Sequence, residues 1–150
     1  MRFTLNSLSR LLPDWLASQL QPEWAARYGP RADDYRMPHT KPQRVAYAQQ
    51  FGQDGWWLLE RIETDQQAAF LWQVPAIDIL RRVWIQQFWM EDGQVLWRIE
   101  NQGELPLSAQ LIRSPYDLEA RFSRKRTTTW AGYKVHLTET CGDDQPHLIT

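Results

Sequence analysis

The sequence predicts an α+β fold, in which a helical region at residues 1–90 precedes a strand-rich region at residues 91–150. In the first half, apolar residues recur at steps of three and four, which is the period of an amphipathic helix. After the turn signal Asp92-Gly93 the apolar residues alternate with polar ones, which is the period of a strand. A chain of 150 residues with 43% apolar content is long enough for one domain with its own core.

Two short helices are predicted near the beginning of the chain. The first is interrupted or started near Pro13, because proline is tolerated only in the first turn of a helix. The second has Pro22 at its first position and ends at Gly29. The apolar stripe of the first helix consists of Leu8, Leu11, Leu12, Trp15, Leu16 and Leu20.

Three further helices are predicted before residue 90. One runs from Pro42 to a stop at Gly52, and the next begins with Asp54 as its N-cap. After a loop at residues 64–67, the last helix begins at Pro75. Its apolar face consists of Ile77, Leu80, Trp84 and Phe88.

Short strands are predicted in the second half. Val95, Trp97 and Ile99 alternate with polar neighbours, and residues 109–114 and 130–141 form two further strands. The apolar run at residues 147–150 indicates a strand that stops soon after it begins. Because such a stop leaves an unpaired sheet edge, we expect a truncated chain, with a native edge strand of four residues as the alternative.

Composition excludes several classes of protein. A formal charge of −1 and a pI near 6.3 argue against nucleic-acid binding through bulk charge, so that any such role must be local. A lone Cys141 cannot form an internal disulfide, and we expect a cytoplasmic location. The first residues have neither the apolar core of a signal peptide nor the length of a membrane span, so no membrane association is expected.

The chain has nine tryptophans, spread from Trp15 to Trp130. Large aromatic side chains dominate core burial, so most of them are expected to pack inside the fold. The functional alternative is an aromatic platform for sugars or bases.

No zinc site is predicted, because His39, His136, His147 and Cys141 lack the spacing of zinc ligands. Asp117 follows the predicted strand at residues 109–114, where a carboxylate could hold Mg²⁺ at the end of a strand. One carboxylate alone cannot support two-metal phosphoryl transfer. The alternative is that Asp117 caps its turn or a helix at residues 118–122.

The densest positive patch lies beyond this aspartate, and its cations could contact the phosphates of a DNA backbone. The alternative is a solvated loop. The patch consists of Arg121, Arg124, Lys125 and Arg126, with Lys134 on the following strand.

The segment "SPYDLEARFSRKRTTTWAGYKVHLTETC", followed by "PHLIT", resembles bacterial insertion-sequence transposases of the DDE class, which have an RNase H-like catalytic fold. The upstream segments "PEWAARYGPRADDYRMP", "FGQDGWWLL" and "VPAIDILRRVWIQQFWMEDGQVLWR" resemble the helical region that precedes that core. The resemblance covers nearly the whole chain. It implies that residues 91–150 begin an incomplete RNase H-like mixed sheet.

The resemblance implies DNA cleavage and strand transfer at insertion-sequence ends, with Mg²⁺ held by two aspartates and a glutamate. Asp117 matches the first aspartate as a catalytic and metal-binding residue, although this chain lacks the Asp-Ser/Gly-Thr strand of many relatives. Arg121, Arg124, Lys125, Arg126 and Lys134 would contact DNA. No position matches the second aspartate or the glutamate, so we expect an inactive fragment of a parent that could be a homo-oligomer.

The alternative function is a self-contained, Trp-rich α+β interaction protein without catalysis. A DNA-binding remnant that inhibits an intact transposase is a third hypothesis.

Overall fold

The computed structural model describes residues 1–29, 38–98 and 111–133, and these form an α+β fold, as predicted. Helices come first along the chain and strands follow. The α-helices are α1 (Arg2–Leu11), α2 (Pro13–Gln19), α3 (Trp24–Tyr28), α4 (Lys41–Thr64) and α5 (Pro75–Gln87), with a 3₁₀ helix at Gln66–Gln73. The strands are β1 (Phe88–Glu91), β2 (Gln94–Trp97), β3 (Arg121–Lys125) and β4 (Thr128–Gly132).

Proline and capping residues begin several helices where the sequence predicts them. Pro13 is the first residue of α2 and Pro75 is the first residue of α5. The Thr40 hydroxyl caps α4 by accepting a hydrogen bond from the Gln43 N–H at 3.4 Å. Gly29 follows the last residue of α3, as predicted, but the predicted start at Pro22 is wrong, because α3 begins at Trp24 after the N-cap Glu23. The boundaries that agree depend on local backbone chemistry, which is why they can be predicted from the sequence.

The predicted break at Gly52 is wrong, because α4 continues without interruption through that residue. A Cβ atom at Gly52 would lie 2.6 Å from the Phe88 ring and 2.8 Å from a Val95 methyl group. The glycine therefore allows the β1–β2 hairpin to approach the helix closely, and it does not end the helix.

The predicted N-cap role of Asp54 is also wrong, since this residue lies in the middle of α4 and is buried. Its carboxylate accepts hydrogen bonds from the Tyr28 hydroxyl at 2.6 Å and from the Gln50 amide at 3.1 Å, and it forms an ion pair with Arg27 at 2.9 Å. Burial, followed by the bond to Asp54, raises the pKa of Tyr28. Asp54 therefore ties α3 to α4.

One hydrophobic core joins the helices and the first hairpin. Phe88 of β1 and Val95 of β2 belong to the same buried cluster as the helical residues, and β2 packs against α4. The predicted domain boundary near residue 90 stays a prediction. The largest fully buried side chains are Trp24, Leu8, Leu58, Ile62, Leu71 and Ile77.

The predicted Asp92-Gly93 turn is confirmed. Asp92 has φ 49° and Gly93 has φ 76°, and this pair of positive values is that of a type I′ turn, whose twist suits a two-residue hairpin. The turn joins β1 and β2 as antiparallel partners. Phe88, which was expected on the face of the last helix, begins β1 and packs into the core.

The described strands form two separate antiparallel pairs, β1–β2 and β3–β4. Leu111–Arg113 is not a strand, contrary to the prediction, and residues 118–122 do not form a helix. Ile112 instead exchanges two hydrogen bonds with the buried side-chain amide of Gln86 on α5, at 2.9 and 3.0 Å. The RNase H-like topology stays a prediction.

No helix in the described part of the chain has the length and apolar character needed to span a membrane.

Candidate nucleic-acid interface

The basic run predicted as a loop or a DNA contact lies on the β3–β4 hairpin. The register pairs Arg121 with Gly132, Ser123 with Trp130 and Lys125 with Thr128. Because directly paired residues of antiparallel strands share a face, these six residues belong to one face. Phe122, Arg124, Thr129 and Ala131 belong to the other.

The end of this hairpin is open to solvent on both faces. All residues from 124 to 131 are exposed, including Arg124, Lys125 and Arg126. None of these three cations forms an ion pair with another residue in the described ranges. The Arg124 Nε donates to the Arg126 carbonyl at 2.9 Å, which positions its guanidinium near the turn. Three positive groups are therefore exposed at this end of the hairpin, with Arg124 on the opposite face from Lys125 and Arg126 in the turn.

Charge is concentrated on this part of the molecule. Residues 111–133, which we call the basic segment, contain five basic and two acidic side chains, a formal charge of +3, whereas the whole chain carries −1. The described residues 1–29 and 38–98, which we call the helical body, contain nine basic and nine acidic side chains. The basic segment is thus the positive surface of the described protein.

The turn of the hairpin places an arginine where smaller residues are usual. Arg126 has φ 56°, in the left-handed region that favours glycine and asparagine. A side chain in this region costs on the order of 1 kcal/mol per residue. The positive side chain of Arg126 therefore lies at the tip of the hairpin despite this backbone strain.

Arg121 differs from the other predicted DNA contacts. Its guanidinium donates to the Leu118 carbonyl at 2.6 Å and to the Ala120 carbonyl at 3.3 Å. It is only half-exposed. Arg121 therefore closes the turn that precedes β3. Lys134 lies outside the described residues.

Asp117 lies in the turn before β3, and the turn interpretation of this residue is confirmed. Its Oδ1 accepts hydrogen bonds from the Glu119 and Ala120 N–H groups, both at 3.1 Å. Its Oδ2 accepts a hydrogen bond from the Tyr133 hydroxyl. That bond, followed by the two backbone bonds, lowers the pKa of Asp117, and the same contact raises the pKa of Tyr133.

The described residues around Asp117 do not by themselves fit a Mg²⁺ ion. Both carboxylate oxygens already accept hydrogen bonds, and Mg²⁺ requires several oxygen ligands in near-octahedral geometry. No group of three or more His, Cys, Asp or Glu residues in the described ranges could hold a metal ion. The catalytic and metal-binding roles of Asp117 stay predictions.

Among the contacts that attach the basic segment to the helical body within the described ranges, two involve named side chains of α5 and α1. The Gln86 amide of α5 binds both backbone polar groups of Ile112, and the Tyr116 ring packs edge-on against Phe3 of α1 with centroids 5.1 Å apart. These contacts hold the segment before Asp117. The exposed end of the hairpin extends beyond them.

Four further side chains of the hairpin region are not among the sequence-predicted site residues: Arg113, Phe122, Trp130 and Tyr133. The Arg113 guanidinium lies over the Phe122 ring, 5.1 Å from its centroid. Trp130 could have been found from the sequence only with the hairpin register, which places it beside Lys125.

No protein-family model, curated protein sequence or solved structure matches this chain.

Proposed function

We propose that the protein binds DNA, with Arg124, Lys125 and Arg126 of the β3–β4 hairpin on the phosphate backbone. The observation that carries the proposal is the set of three exposed cations without an acidic partner in the described ranges. Cations that already pair with carboxylates would have to lose those partners to bind phosphate. Unpaired cations release only the counterions that surround them and DNA.

The hydroxyl groups of Thr127, Thr128 and Thr129 add to this chemistry. All three residues are exposed and follow the cations along the turn and β4. Hydroxyl side chains commonly donate hydrogen bonds to phosphate oxygens. Phosphate contacts position a protein on DNA but do not read its sequence, so binding is expected to depend weakly on sequence.

We propose that this DNA binding is part of the activity of an insertion-sequence transposase, the family that the sequence resembles. Asp117 could coordinate a metal ion only together with carboxylates from outside the described residues. It would also have to lose its hydrogen bond to Tyr133. The chain itself is proposed to bind DNA without cleaving it.

The test is a binding titration of a labelled DNA duplex, followed by fluorescence anisotropy between about 50 and 200 mM salt. The double variant Arg124→Ala/Lys125→Ala is expected to weaken binding and to reduce the slope of log Kd against log salt by about 2. The matched control is Arg81→Ala/Arg82→Ala, which removes the same charge from α5.

The control is informative because Arg81 and Arg82 are exposed but pair with Asp78, at 3.0 and 3.6 Å. The control is expected to keep the salt slope of the unaltered protein. Equal losses in both double variants would indicate a bulk charge effect, and an absence of binding at low salt would overturn the proposal.

A second candidate is a Trp-rich interaction protein without catalysis. A groove of about 420 Å³ lies between α4 and the β1–β2 hairpin, lined by Trp56, Trp57 and Met90 among others. Aromatic and methionine side chains are enriched at protein–protein interfaces. Absence of DNA binding together with a cooperative unfolding transition would favour this candidate.

A further inference from the structure

Trp130 differs from every other tryptophan of the protein. All nine tryptophans lie within the described ranges, and the other eight are buried or half-buried. Trp130 is 39% exposed and lies on β4 of the basic hairpin. The packing role that explains the other tryptophans therefore does not explain this one.

The neighbours of Trp130 on its face of the hairpin are small residues and cations. Ser123 is directly opposite, and the Lys125–Thr128 and Arg121–Gly132 pairs lie on either side. Gly132 has no side chain, and a Cβ atom there would be in van der Waals contact with the indole Cδ1 at 3.7 Å, so the indole lies against this glycine. Lys125 is the cation beside the indole in the register, because the Arg121 guanidinium is bound to the Leu118 and Ala120 carbonyls, and 39% of Trp130 is open to solvent.

The other exposed aromatic groups of the hairpin region already have partners. The Arg113 guanidinium lies over the Phe122 ring, and the Tyr133 hydroxyl donates to Asp117. Within the described ranges, no aromatic ring or cation is stacked on Trp130. Of these three side chains, Trp130 is the one with neither a stacked group nor a side-chain hydrogen bond in the described ranges.

A cation beside an open indole distinguishes between the two forms of DNA. Phosphates are available in duplex and single-stranded DNA, but the bases of a duplex are stacked on one another. An unpaired base presents a π-face, and stacking on an aromatic side chain contributes about 5- to 150-fold in affinity per base. Positive groups along the same surface hold the backbone beside the stacked base.

We infer that the β3–β4 hairpin binds single-stranded DNA in preference to duplex, with one unpaired base stacked on Trp130 and adjacent phosphates on Lys125 and the turn. This inference rests on the proposed DNA binding and assigns its substrate class. The charge of the basic segment is complementary to the strand, and the exposed indole is complementary to its bases.

The experiment compares three probes of about 12 nucleotides, a length within the range bound by small single-strand binding folds. They are an oligo-dT strand, a fully abasic strand of the same length, and a duplex. The unaltered protein is expected to bind the intact strand about 5- to 150-fold more tightly than the abasic strand. The duplex is also expected to bind more weakly than the intact strand.

The variant Trp130→Ala is expected to lose this advantage on the intact strand and to bind the abasic strand as the unaltered protein does. Trp130→Phe is expected to restore most of the affinity. The matched control is Phe122→Ala, which removes a ring of similar exposure, 42%, from the opposite face of the same hairpin. That variant is expected to keep the preference for the intact strand.

Equal binding of intact and abasic strands by the unaltered protein would overturn the inference and leave the proposed DNA binding in place. Equal losses of affinity in Trp130→Ala and Phe122→Ala would overturn it in the same way. An absence of binding to all three probes at low salt would overturn both proposals. The comparison of probes on the unaltered protein decides the question even if Trp130→Ala does not fold.

Discussion

The helical body and the basic segment use the same kinds of residue in opposite ways. In the body, aromatic side chains fill a core, and nine basic side chains are balanced by nine acidic ones. In the basic segment, aromatic and basic side chains are exposed together on a two-stranded hairpin, which is marginal as an isolated unit. We therefore expect the stability of the fold to depend on the helical body, and the proposed DNA binding to depend on the basic segment.

The largest expected difference between the two regions is the cost of removing an apolar side chain. Leu58 of α4 is completely buried, so Leu58→Ala is expected to lower the free energy of unfolding by about 2–5 kcal/mol. Leu118→Ala makes the same chemical change at a residue that is 38% exposed, and it is expected to cost about 0.5 kcal/mol or less. Urea unfolding measures both, and similar costs would contradict the division into two regions.

A smaller effect is expected where the two regions join. Gln86→Leu removes both hydrogen bonds to Ile112 and leaves two buried backbone groups unsatisfied, at a cost of about 1–3 kcal/mol. Hydrogen exchange at the Ile112 amide is expected to accelerate, while protection of the α4 amides is retained.

The matched control for this junction is Gln87→Leu, because the Gln87 side chain forms no hydrogen bond within the described ranges. It is expected to leave exchange at Ile112 unchanged. Unchanged exchange in Gln86→Leu as well would mean that other contacts hold the segment to the body.

The smallest expected effect is electrostatic and is confined to the turn before β3. The Tyr133 hydroxyl is the largest cause of the lowered pKa of Asp117, so Tyr133→Phe is expected to raise that pKa toward its ordinary value. A carbon-detected NMR titration of the Asp117 carboxylate measures the change. An unchanged pKa would show that the backbone bonds alone hold the carboxylate charged.

The sign of the accompanying pH dependence follows from the direction of the shift. Because the folded state lowers the pKa of Asp117, its contribution to stability is complete above the ordinary pKa and is lost as the pH falls through the lowered one. The raised pKa of Tyr133 sets the opposite limit, since the contact is complete below the ordinary pKa of tyrosine and is lost as the pH rises through the raised one.

Local sequence signals predicted the parts of the fold that depend on backbone chemistry. Pro13 and Pro75 begin helices, and Asp92-Gly93 forms the hairpin turn, because fixed or positive φ values are properties of those residue types. The position of the basic run was also evident from the sequence. Its conformation was not, since the same residues suit a loop or a strand.

What the sequence alone determined was therefore the α+β class, several helix starts, the first hairpin turn and the clustering of positive charge. Tertiary structure decided the roles of Gly52, Asp54 and Gln86 and the placement of Trp130. Each depends on a partner distant in the chain or across a strand pair: the Phe88 ring, the Tyr28 hydroxyl, the Ile112 backbone and the Lys125 face. The residue types of Gly52 and Asp54 suggested a helix break and an N-cap. Their actual roles are visible only in the folded structure, where these partners lie within a few ångströms.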